Sequence, residues 1–271
     1  MIRGFYNAAA GMIAQQRKQE LLSNNIANAN TPGFKADAAS LRSFPNMLLQ
    51  QMNSTGFGPS RAGQTVGMLS TGVYLQETIP DFKQGDIKET GVKTDLALLQ
   101  GNVPVDAATG KPGALFFVVN VNGEERLTRN GHFTVDADGR LTTADGHTVL
   151  NTAGSPITVR SQNFTVTREG RVLENGRDAG QIDIAFVDNP NRLVKEGNGL
   201  FRSEDAVVTA AGNANISYSL SQGFVERSTV DVEQTMADMM NAYRTFEANQ
   251  RVLQSYDRSM EKMVNEVGRI G

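Results

Sequence analysis

The stretch FFVVNVNGEERLTRNGHFTVDADGRLTTADGHTVL, residues 116–150, decides the fold class of this chain. Apolar and polar residues alternate along it, which is the period of a half-buried strand. Four turn signals that end in glycine interrupt the alternation: Asn122-Gly123, Asn130-Gly131, Asp138-Gly139 and Asp145-Gly146. Such pairs supply the positive φ angles that tight hairpins need. The stretch therefore predicts short antiparallel strands joined by tight turns.

The same pattern continues on both sides, from about Asp81 to Gln222. Further turn signals keep the strands short and closely spaced: Glu169-Gly170, Asn175-Gly176, Asn189-Pro190 and Asn198-Gly199. We predict a central all-β domain over residues 81–223.

The N-terminal segment has the period of a helix. Apolar and amide residues recur at alternating spacings of three and four: Phe5, Ala8, Met12, Gln15, Gln19, Leu22, Ile26 and Ala29. This stripe covers about two positions in seven, which is typical of a coiled-coil seam and narrower than a helix face docked on a globular core. The N-terminal helix is therefore expected to need a partner helix.

The C-terminal segment offers that partner. The same alternation continues through Val232, Met236, Met239, Tyr243, Phe246, Gln250, Leu253, Asp257, Met260, Val264 and Val267. It covers 36 residues, or roughly 54 Å of helix. A seam of this length with polar Gln250 and Asp257 on it favours a coiled coil, and a long core helix is the alternative.

The predicted fold class is α+β, mainly β. The terminal segments 1–36 and 224–271 form one discontinuous, coiled-coil-like helical domain, from which the central β domain projects. Residues 37–80 are predicted to be an irregular connector with one short helix, Ser40 to Met52, because five glycines follow it: Gly56, Gly58, Gly63, Gly67 and Gly72.

Composition excludes several classes of function. The 271 residues carry 26 basic and 29 acidic side chains, a net charge of −3, and no basic block, so nucleic acid is an unexpected partner. Cysteine is absent, which excludes disulfides and thiolate metal sites. The N-terminal apolar residues are interrupted by Gln15, Gln16, Arg17 and Lys18, so we expect no cleaved signal peptide. The apolar run from Ala114 to Val119 is too short to span a membrane.

No catalytic or metal-binding pattern is present in the sequence. His132 and His147 each follow a turn glycine, and both are interpreted as surface hairpin residues. The segment Asp136-Ala137-Asp138-Gly139 starts like a calcium loop but lacks the later oxygen ligands, and no phosphate-binding glycine loop occurs. We therefore predict no enzyme activity, no cofactor, no metal and no small-molecule substrate.

An amide-rich stretch ends the first helix: SNNIANANTPGFK, residues 23–35. Pro32 biases Thr31 away from helical angles, so the helix is expected to stop near Asn28 to Asn30. A C-cap and turn account for one or two asparagines. Asn24, Asn25 and Asn28 are poor helix formers, so neighbouring backbone or another subunit must supply compensating hydrogen bonds.

This stretch resembles the signature of bacterial flagellar basal-body rod, hook and hook-associated proteins. The resemblance continues in DFKQGDIKETGVKTDLAL (81–98), RNGHFTVDADGRLTTADGHTVLNTAGSPI (129–157) and QGFVERSTVDVEQTMADMMNAYRTFEAN (222–249). It covers most of the chain in order. The residues of the family motif, to which we assign a role in assembly, are Asn24, Asn25, Ile26, Asn28, Asn30, Thr31, Pro32, Gly33 and Phe34.

Three segments depart from the family pattern: Ser228-Thr229-Val230, Ala242 to Phe246, and Leu99 to Ala114. A rod-type protein is favoured over a hook subunit because the β region is too short for an additional outer domain. The resemblance implies an extracytoplasmic place in the flagellar basal body, reached through the flagellar type III export apparatus. It also implies that the terminal helices line an axial tube made of copies of the chain and neighbouring rod or hook proteins.

The leading hypothesis is a structural rod subunit that polymerises through its terminal helices. The residues expected on the subunit-packing seam are Phe5, Met12, Leu22, Met236, Met239, Tyr243, Phe246, Leu253, Met260, Val264 and Val267. One alternative is a secreted β domain on an oligomeric stalk, such as an adhesin or a phage-tail-like component. Another is a carbohydrate-active enzyme with paired carboxylates among Asp136, Asp138 and Asp145.

Overall fold

The computed structural model of the chain describes residues 2–45, 47–51, 64–69, 71–106, 110–161, 163–205 and 207–267. This part of the chain is mostly β, with one long helix near each end. The helices are α1 (Ile2–Ala27) and α2 (Val232–Val267). The described strands are β1 (Asp37–Ser43), β2 (Met47–Gln51), β3 (Gln64–Leu69), β4 (Val73–Pro80), β5 (Ile87–Glu89), β6 (Leu96–Gln100), β7 (Ala114–Val121), β8 (Glu124–Thr128), β9 (Phe133–Val135), β10 (Leu141–Thr143), β11 (Thr148–Val149), β12 (Thr165–Val166), β13 (Arg171–Glu174), β14 (Arg177–Gln181), β15 (Ile184–Val187), β16 (Val194–Gly197), β17 (Leu200–Arg202), β18 (Val208–Thr209), β19 (Tyr218–Gln222) and β20 (Phe224–Glu226).

The chain divides into two compact units. The helical unit consists of the described parts of Met1–Ile26, Asp37–Ile79 and Val232–Gly271. The β unit consists of the described parts of Ala27–Ala36 and Pro80–Asp231. Two segments group differently from the predicted boundaries. The end of the first helix and the turn after it belong to the β unit, and most of the predicted connector belongs to the helical unit.

Strand β7 is the centre of the β unit. One edge of β7 pairs with β8, and its other edge pairs with β15 and then β11. Its sequence, ALFFVVNV, is almost continuously apolar, as expected for a strand that is covered on both faces. Leu115, Phe117 and Val119 point into the larger core cluster, whereas Phe116 and Val118 point into a second, smaller cluster. The alternation of side chains along one strand thus builds two cores.

Most of the predicted turns have the geometry that the sequence indicates. Asn122 and Gly123 both have positive φ, as do Asn175 with Gly176 and Asn198 with Gly199. The prediction of a tight hairpin at Asn130-Gly131 is wrong, because neither residue has positive φ and β8 does not pair with β9. Gly131 instead lies against the carbonyl of Leu96, where a Cβ atom would overlap with the oxygen. The glycine permits a close approach between two backbone segments.

The helical unit contains two small strand pairs, β1 with β4 and β2 with β3. The prediction of a helix over Ser40 to Met52 is wrong, because β1 and β2 occupy the described part of this range. Pro45 lies in its middle and favours an extended Phe44, whose N–H donates to the carbonyl of Gly72 at 3.0 Å. Of the five glycines that suggested an irregular connector, Gly56, Gly58 and Gly63 lie outside the described residues.

The two long helices lie side by side in opposite directions. A Cβ atom at Gly4 would overlap with the Tyr256 hydroxyl, and one at Gly11 would lie 2.9 Å from Asn249 Nδ2. The two glycines are seven residues apart on α1, and their partners Tyr256 and Asn249 are seven residues apart on α2. The contact therefore repeats every two turns. Glycine at both positions lets the helices approach closely. Within the described residues, neither helix is long and apolar enough to cross a membrane.

Candidate functional site

Residues 28–36, which we call the anchor turn, follow the last turn of α1. The Thr31 N–H donates to the carbonyl of Asn28 at 3.1 Å, and the Thr31 hydroxyl donates to Asn28 Oδ1 at 3.2 Å. The Phe34 N–H then donates to the carbonyl of Thr31 at 3.3 Å. Two successive turns thus end the helix where Pro32 forbids its continuation.

Gly33 is required at its position for two reasons. Its φ is 67°, in the left-handed region that favours glycine. A Cβ atom at Gly33 would also overlap with the carbonyl of Arg129. Its N–H donates to the carbonyl of Glu226 at 2.8 Å, so this close approach joins the anchor turn to β20.

The anchor turn continues along the edge of β20. The Thr229 N–H donates to the carbonyl of Phe34 at 3.1 Å, and the Ala36 N–H donates to Thr229 Oγ1 at 2.9 Å. The ring of Phe34 is buried, and Lys195 Nζ lies 4.4 Å from its centre, within the range of a cation–π contact. The Phe34 backbone and ring therefore hold the turn to two parts of the β unit.

Lys35, Arg129 and Glu226 form a buried ion cluster beside the anchor turn, and all three side chains are at most 3% exposed. Glu226 Oε1 accepts from Lys35 Nζ at 2.8 Å, and Oε2 accepts from Arg129 Nε at 2.6 Å. Glu226 Oε1 also accepts from the Gly85 N–H at 2.7 Å. A buried carboxylate that is paired and hydrogen-bonded at both oxygens avoids most of the cost of desolvation.

The remaining donors of the two cations are directed at backbone carbonyls. Arg129 Nη1 donates to the carbonyl of Leu115 at 2.6 Å, and Nη2 donates to that of Leu98 at 3.0 Å. Lys35 Nζ donates to the carbonyl of Lys83. The cluster therefore links the anchor turn to β6, β7 and β20 at one point.

Two cations share one carboxylate in this cluster, and the pKa of the lysine is lowered. Burial is the main cause that lowers the pKa of Lys35 from its usual 10.5, and the nearby Arg129 guanidinium lowers it further. Glu226 opposes this shift because its carboxylate stabilises the ammonium form. The ammonium form of Lys35 is thus less favoured here than that of a lysine in water.

Asn25 explains part of the amide-rich stretch. It lies on the last turns of α1, is buried, and binds the backbone of Asp37 twice. Asn25 Nδ2 donates to the carbonyl of Asp37 at 2.9 Å, and the Asp37 N–H donates to Asn25 Oδ1 at 3.0 Å. The side-chain amide replaces a strand partner for Asp37, the first residue of β1. The compensating hydrogen bonds predicted for this asparagine come from the same chain.

The other motif residues differ in exposure. Asn24 and Asn30 are exposed, whereas Ile26, Asn28, Thr31 and Pro32 are half-buried. Asn24 and Asn28 both have further interactions in the described structure. The stretch therefore contains residues that hold the turn in place and others that face solvent.

The predicted seam of α1 faces the interior of the chain. Ala8 and Leu22 are buried, and the other seam residues of this helix that we predicted are half-buried: Phe5, Met12, Gln15, Gln19 and Ile26. Gly11, Ala14, Leu21 and Asn25, which lie beside this line, are buried as well.

The predicted seam of α2 is divided between interior and solvent. Met239, Phe246, Leu253 and Met260 are half-buried, whereas Met236, Tyr243 and Val264 are exposed, as are the seam residues Val232, Gln250 and Asp257. The side chain of Val267 lies outside the described part. The line covered within the chain is Thr235, Met239, Ala242, Phe246, Asn249, Leu253, Tyr256 and Met260. Every second member of this line lies one residue before the predicted position.

The histidines and hairpin aspartates do not form a reactive centre. His132 Nδ1 lies 2.7 Å from Oδ1 of buried Asp95, whose Oδ2 accepts from the Thr90 hydroxyl at 2.6 Å. Asp136 and Asp138 bind Arg140 within their own hairpin. Among the described residues, no group of three or more histidine or acidic side chains is placed to hold a metal ion.

Sequence reasoning missed the ion cluster. Its members are 97 and 191 positions apart, so no local period could connect them. The available signal was a charged residue in each of three segments that otherwise supply buried strands or turns.

Comparison with known proteins identifies the family. Residues 5–35 match the family described as flagella basal body rod protein. Residues 112–174 match the flagellar hook protein FlgE/F/G D1 domain, and residues 221–266 match the flagellar basal body rod FlgEFG protein C-terminal region. The chain is 45% identical to the flagellar hook-basal body complex protein FlhO of Bacillus subtilis over the full length of both chains.

The chain belongs to the flagellar basal-body rod family. It is also 32% identical to the flagellar basal-body rod protein FlgG of Agrobacterium fabrum, with 94% of this chain and 96% of that protein covered. FlgG of Bacillus subtilis is 31% identical over 98% of this chain and 99% of its own length. The rod-family chain is thus a structural component of the flagellum and not an enzyme, and these relatives give no support to the stalked adhesin.

The ion cluster joins the three segments that match the family. Lys35 is the last residue of the first match, Arg129 lies in the second, and Glu226 lies in the third. The contacts at Glu226 are therefore the point where these parts of the rod-family chain meet within the β unit.

Proposed function

We propose that this rod-family chain is an axial subunit that assembles with copies of itself and with neighbouring rod or hook proteins. Its terminal helices are the assembling surfaces, and they pack in a coiled-coil-like manner along the wall of a tube. Support comes from α2, in which four of the predicted seam residues are half-buried within the chain and six are exposed.

The motif residues contribute to assembly mainly by fixing the end of α1. Asn25, Gly33 and Phe34 make contacts within the chain that set where the helix stops, and this in turn sets which faces of the helix remain for neighbours. The exposed residues Asn24 and Asn30 lie where a neighbouring subunit could reach them. Seam residues such as Met236, Tyr243 and Val264 are the proposed direct contacts.

We also propose an extracytoplasmic location in the basal body, reached through the flagellar type III export apparatus. The support is membership of the family, because the relatives are named as basal-body rod or hook-basal body proteins. Radiolabelled or epitope-tagged chain recovered in isolated basal bodies, and missing from them in an export-deficient strain, is the expected result.

The substitution Phe246→Pro tests the role of the helices. Proline in the middle of α2 removes a backbone hydrogen bond and clashes with the preceding turn, at a cost of roughly 3 kcal/mol or more. We expect loss of self-association in sedimentation velocity and loss of motility in cells. The matched control, Phe246→Leu, keeps the helix and an apolar side chain and is expected to retain both. Normal motility with Phe246→Pro would contradict the proposal.

A further inference from the structure

The helical unit carries two separate exposed apolar surfaces. The first, the apolar ridge, consists of Val232, Met236, Met240 and Tyr243 on α2. Spacings of four, four and three place these side chains within roughly 80° of one another on the helix surface. The face turns polar after Tyr243, where Glu247, Gln250 and Gln254 follow. The ridge is therefore a stripe about three turns long at the N-terminal end of α2.

The second surface is a groove of about 590 Å³ between α1 and the strand pairs of the same unit. Tyr6, Ala9, Ala10 and Ile13 of α1 line it together with Phe44 and Met47, and we call these six residues the apolar groove. Among the described residues that line it, Asn7 and Thr71 are polar, and neither is charged. A partner for this groove must therefore be apolar.

A chain cannot fill its own groove with its own ridge. Gly4 and Gly11 face α2, whereas Tyr6 and Ile13 lie about 200° further round α1, on the side that is turned away from α2. The groove and the ridge are thus on opposite sides of the helix pair. A ridge that enters the groove has to come from a different molecule.

The charges at the two surfaces are complementary. Arg17 lies one turn beyond Ile13 on the groove face of α1, and Glu233 flanks the ridge on α2. Both side chains are exposed, and neither has an ion-pair partner in the part of the chain that the structure describes. The first 18 of the 26 residues of α1, from Ile2 to Gln19, contain basic residues and no acidic one, whereas Val232 to Tyr243 contains acidic residues and no basic one. Attraction between these segments favours ridge-in-groove contact over ridge-on-ridge contact.

We infer that the apolar ridge of one copy of this chain binds in the apolar groove of the next. This inference rests on the proposed function, and it specifies which two surfaces of the subunits bind each other. Two different surfaces of the same chain make a heterologous, head-to-tail contact, and such a contact continues into an open-ended polymer unless the rotation closes a ring. The two methionine side chains of the ridge, Met236 and Met240, can adapt to neighbours in slightly different settings.

Two single substitutions test the inference without disturbing a core. Ile13→Glu places a charge in the groove and Met240→Glu places one on the ridge, and the native side chains are 52% and 54% exposed. Transfer of a carboxylate from water into an apolar contact is costly even beside an arginine on the same helix, so each variant alone is expected to need at least about tenfold higher concentration to associate. Ser23→Glu and Ser255→Glu are the matched controls on exposed positions outside both surfaces, and they are expected to associate like the unsubstituted chain.

A mixture of the two variants gives the decisive measurement. Each variant keeps one intact surface, so an equal mixture should form a heterodimer in sedimentation velocity and nothing longer. Circular dichroism verifies folding, and Tyr6→Glu and Met236→Glu replace any variant that is unfolded.

Results that contradict this inference can be distinguished from results that contradict the proposed function. Self-association of the Ile13→Glu chain at the normal concentration overturns the inference, as does a mixture that stays monomeric. If both variants polymerise like the controls, the subunit assembles through other surfaces and the proposed function stands. If the unsubstituted chain stays monomeric at high concentration, self-assembly itself is lost, and this inference is lost with it.

Discussion

The β unit and the helical unit differ in how completely their apolar side chains are buried. In the β unit, Phe116, Phe117 and Phe133 are completely enclosed by two cores that meet on β7. Among the described residues of the helical unit, the buried apolar side chains are three alanines and two leucines, and Tyr6 and Met240 remain exposed. The first unit has satisfied its hydrophobic surface within one chain. The second has surface left over, which is the property of a part that is completed by its neighbours.

The largest expected effect tests whether the β unit is self-sufficient. Phe117→Ala should lower the free energy of unfolding of this unit by about 3–5 kcal/mol, because a fully buried ring leaves a cavity. Tyr243→Ala removes an aromatic ring from the exposed ridge and should change the stability of the monomer by less than about 0.5 kcal/mol. Hydrogen exchange of amides in β7 and α2, measured against denaturant, gives both values. Equal losses for the two substitutions would remove the difference between the units.

The next effect concerns the buried charges. Glu226→Gln should destabilise the β unit by about 3 kcal/mol, because Lys35 and Arg129 lose the carboxylate that compensates their burial. Glu196 is the matched control, since its carboxylate also bridges two arginines, with Arg126 Nε at 2.5 Å and Arg202 Nε at 2.9 Å, but on the surface. We expect Glu196→Gln to cost much less, since water screens the exposed pair. Chemical denaturation measures both, and a loss for Glu196→Gln as large as that for Glu226→Gln would argue against a special role for burial.

A smaller effect sharpens the comparison at the end of α1. Asn25→Ala should destabilise the helical unit by about 1 kcal/mol, because two hydrogen bonds to Asp37 are lost while helix propensity improves. Ser23→Ala, on the exposed side of the same turn, should be neutral or slightly stabilising. Exchange of the β1 amides reports the change. Unaltered protection of these amides in Asn25→Ala would show that the amide does not hold the strand.

The last effect is a dependence of stability on pH, confined to alkaline solution. The folded chain lowers the pKa of Lys35 from its usual 10.5, so between the folded and unfolded values the unfolded chain binds more protons. Stability contributed by this group therefore rises with pH in that window, by at most about 1.4 kcal/mol per pH unit, and the gain is absent below the folded pKa. Lys35→Met should remove this slope. Parallel pH curves for the two proteins up to 10.5 would contradict the lowered pKa.

The local features of the fold could be predicted from the sequence. Alternation in residues 116–150 and the turns at Asn122 and Asn175 depend on nearest neighbours, and both are present in the structure. The two long helices follow from a period that persists over many turns. The sequence predicts a helix where β1 and β2 lie, because a short apolar run fits both periods, and Pro45 is the local signal against a continuous helix.

The candidate site depended on contacts that no local pattern reveals. Met239, Phe246 and Leu253 of the predicted seam are half-buried within the chain, and the residues covered between them lie one position before the predicted ones. That these residues pack against other subunits stays a prediction. The covered face of α2 depends on the neighbour that packs on it. Here Gly4 and Gly11 of α1 lie against Tyr256 and Asn249, so the covered face includes these two residues. The ion cluster likewise depends on three segments that meet only in the folded chain.

The wide spacing of the ion cluster also sets an order of events during folding. Glu226 pairs with a lysine 191 positions before it, so the carboxylate arrives only when most of the chain has been synthesised. Until then Lys35 and Arg129 lack the carboxylate that offsets their burial, and contacts of such high sequence separation form slowly. We therefore expect the ion cluster to contribute no stability to a nascent chain that is shorter than 226 residues.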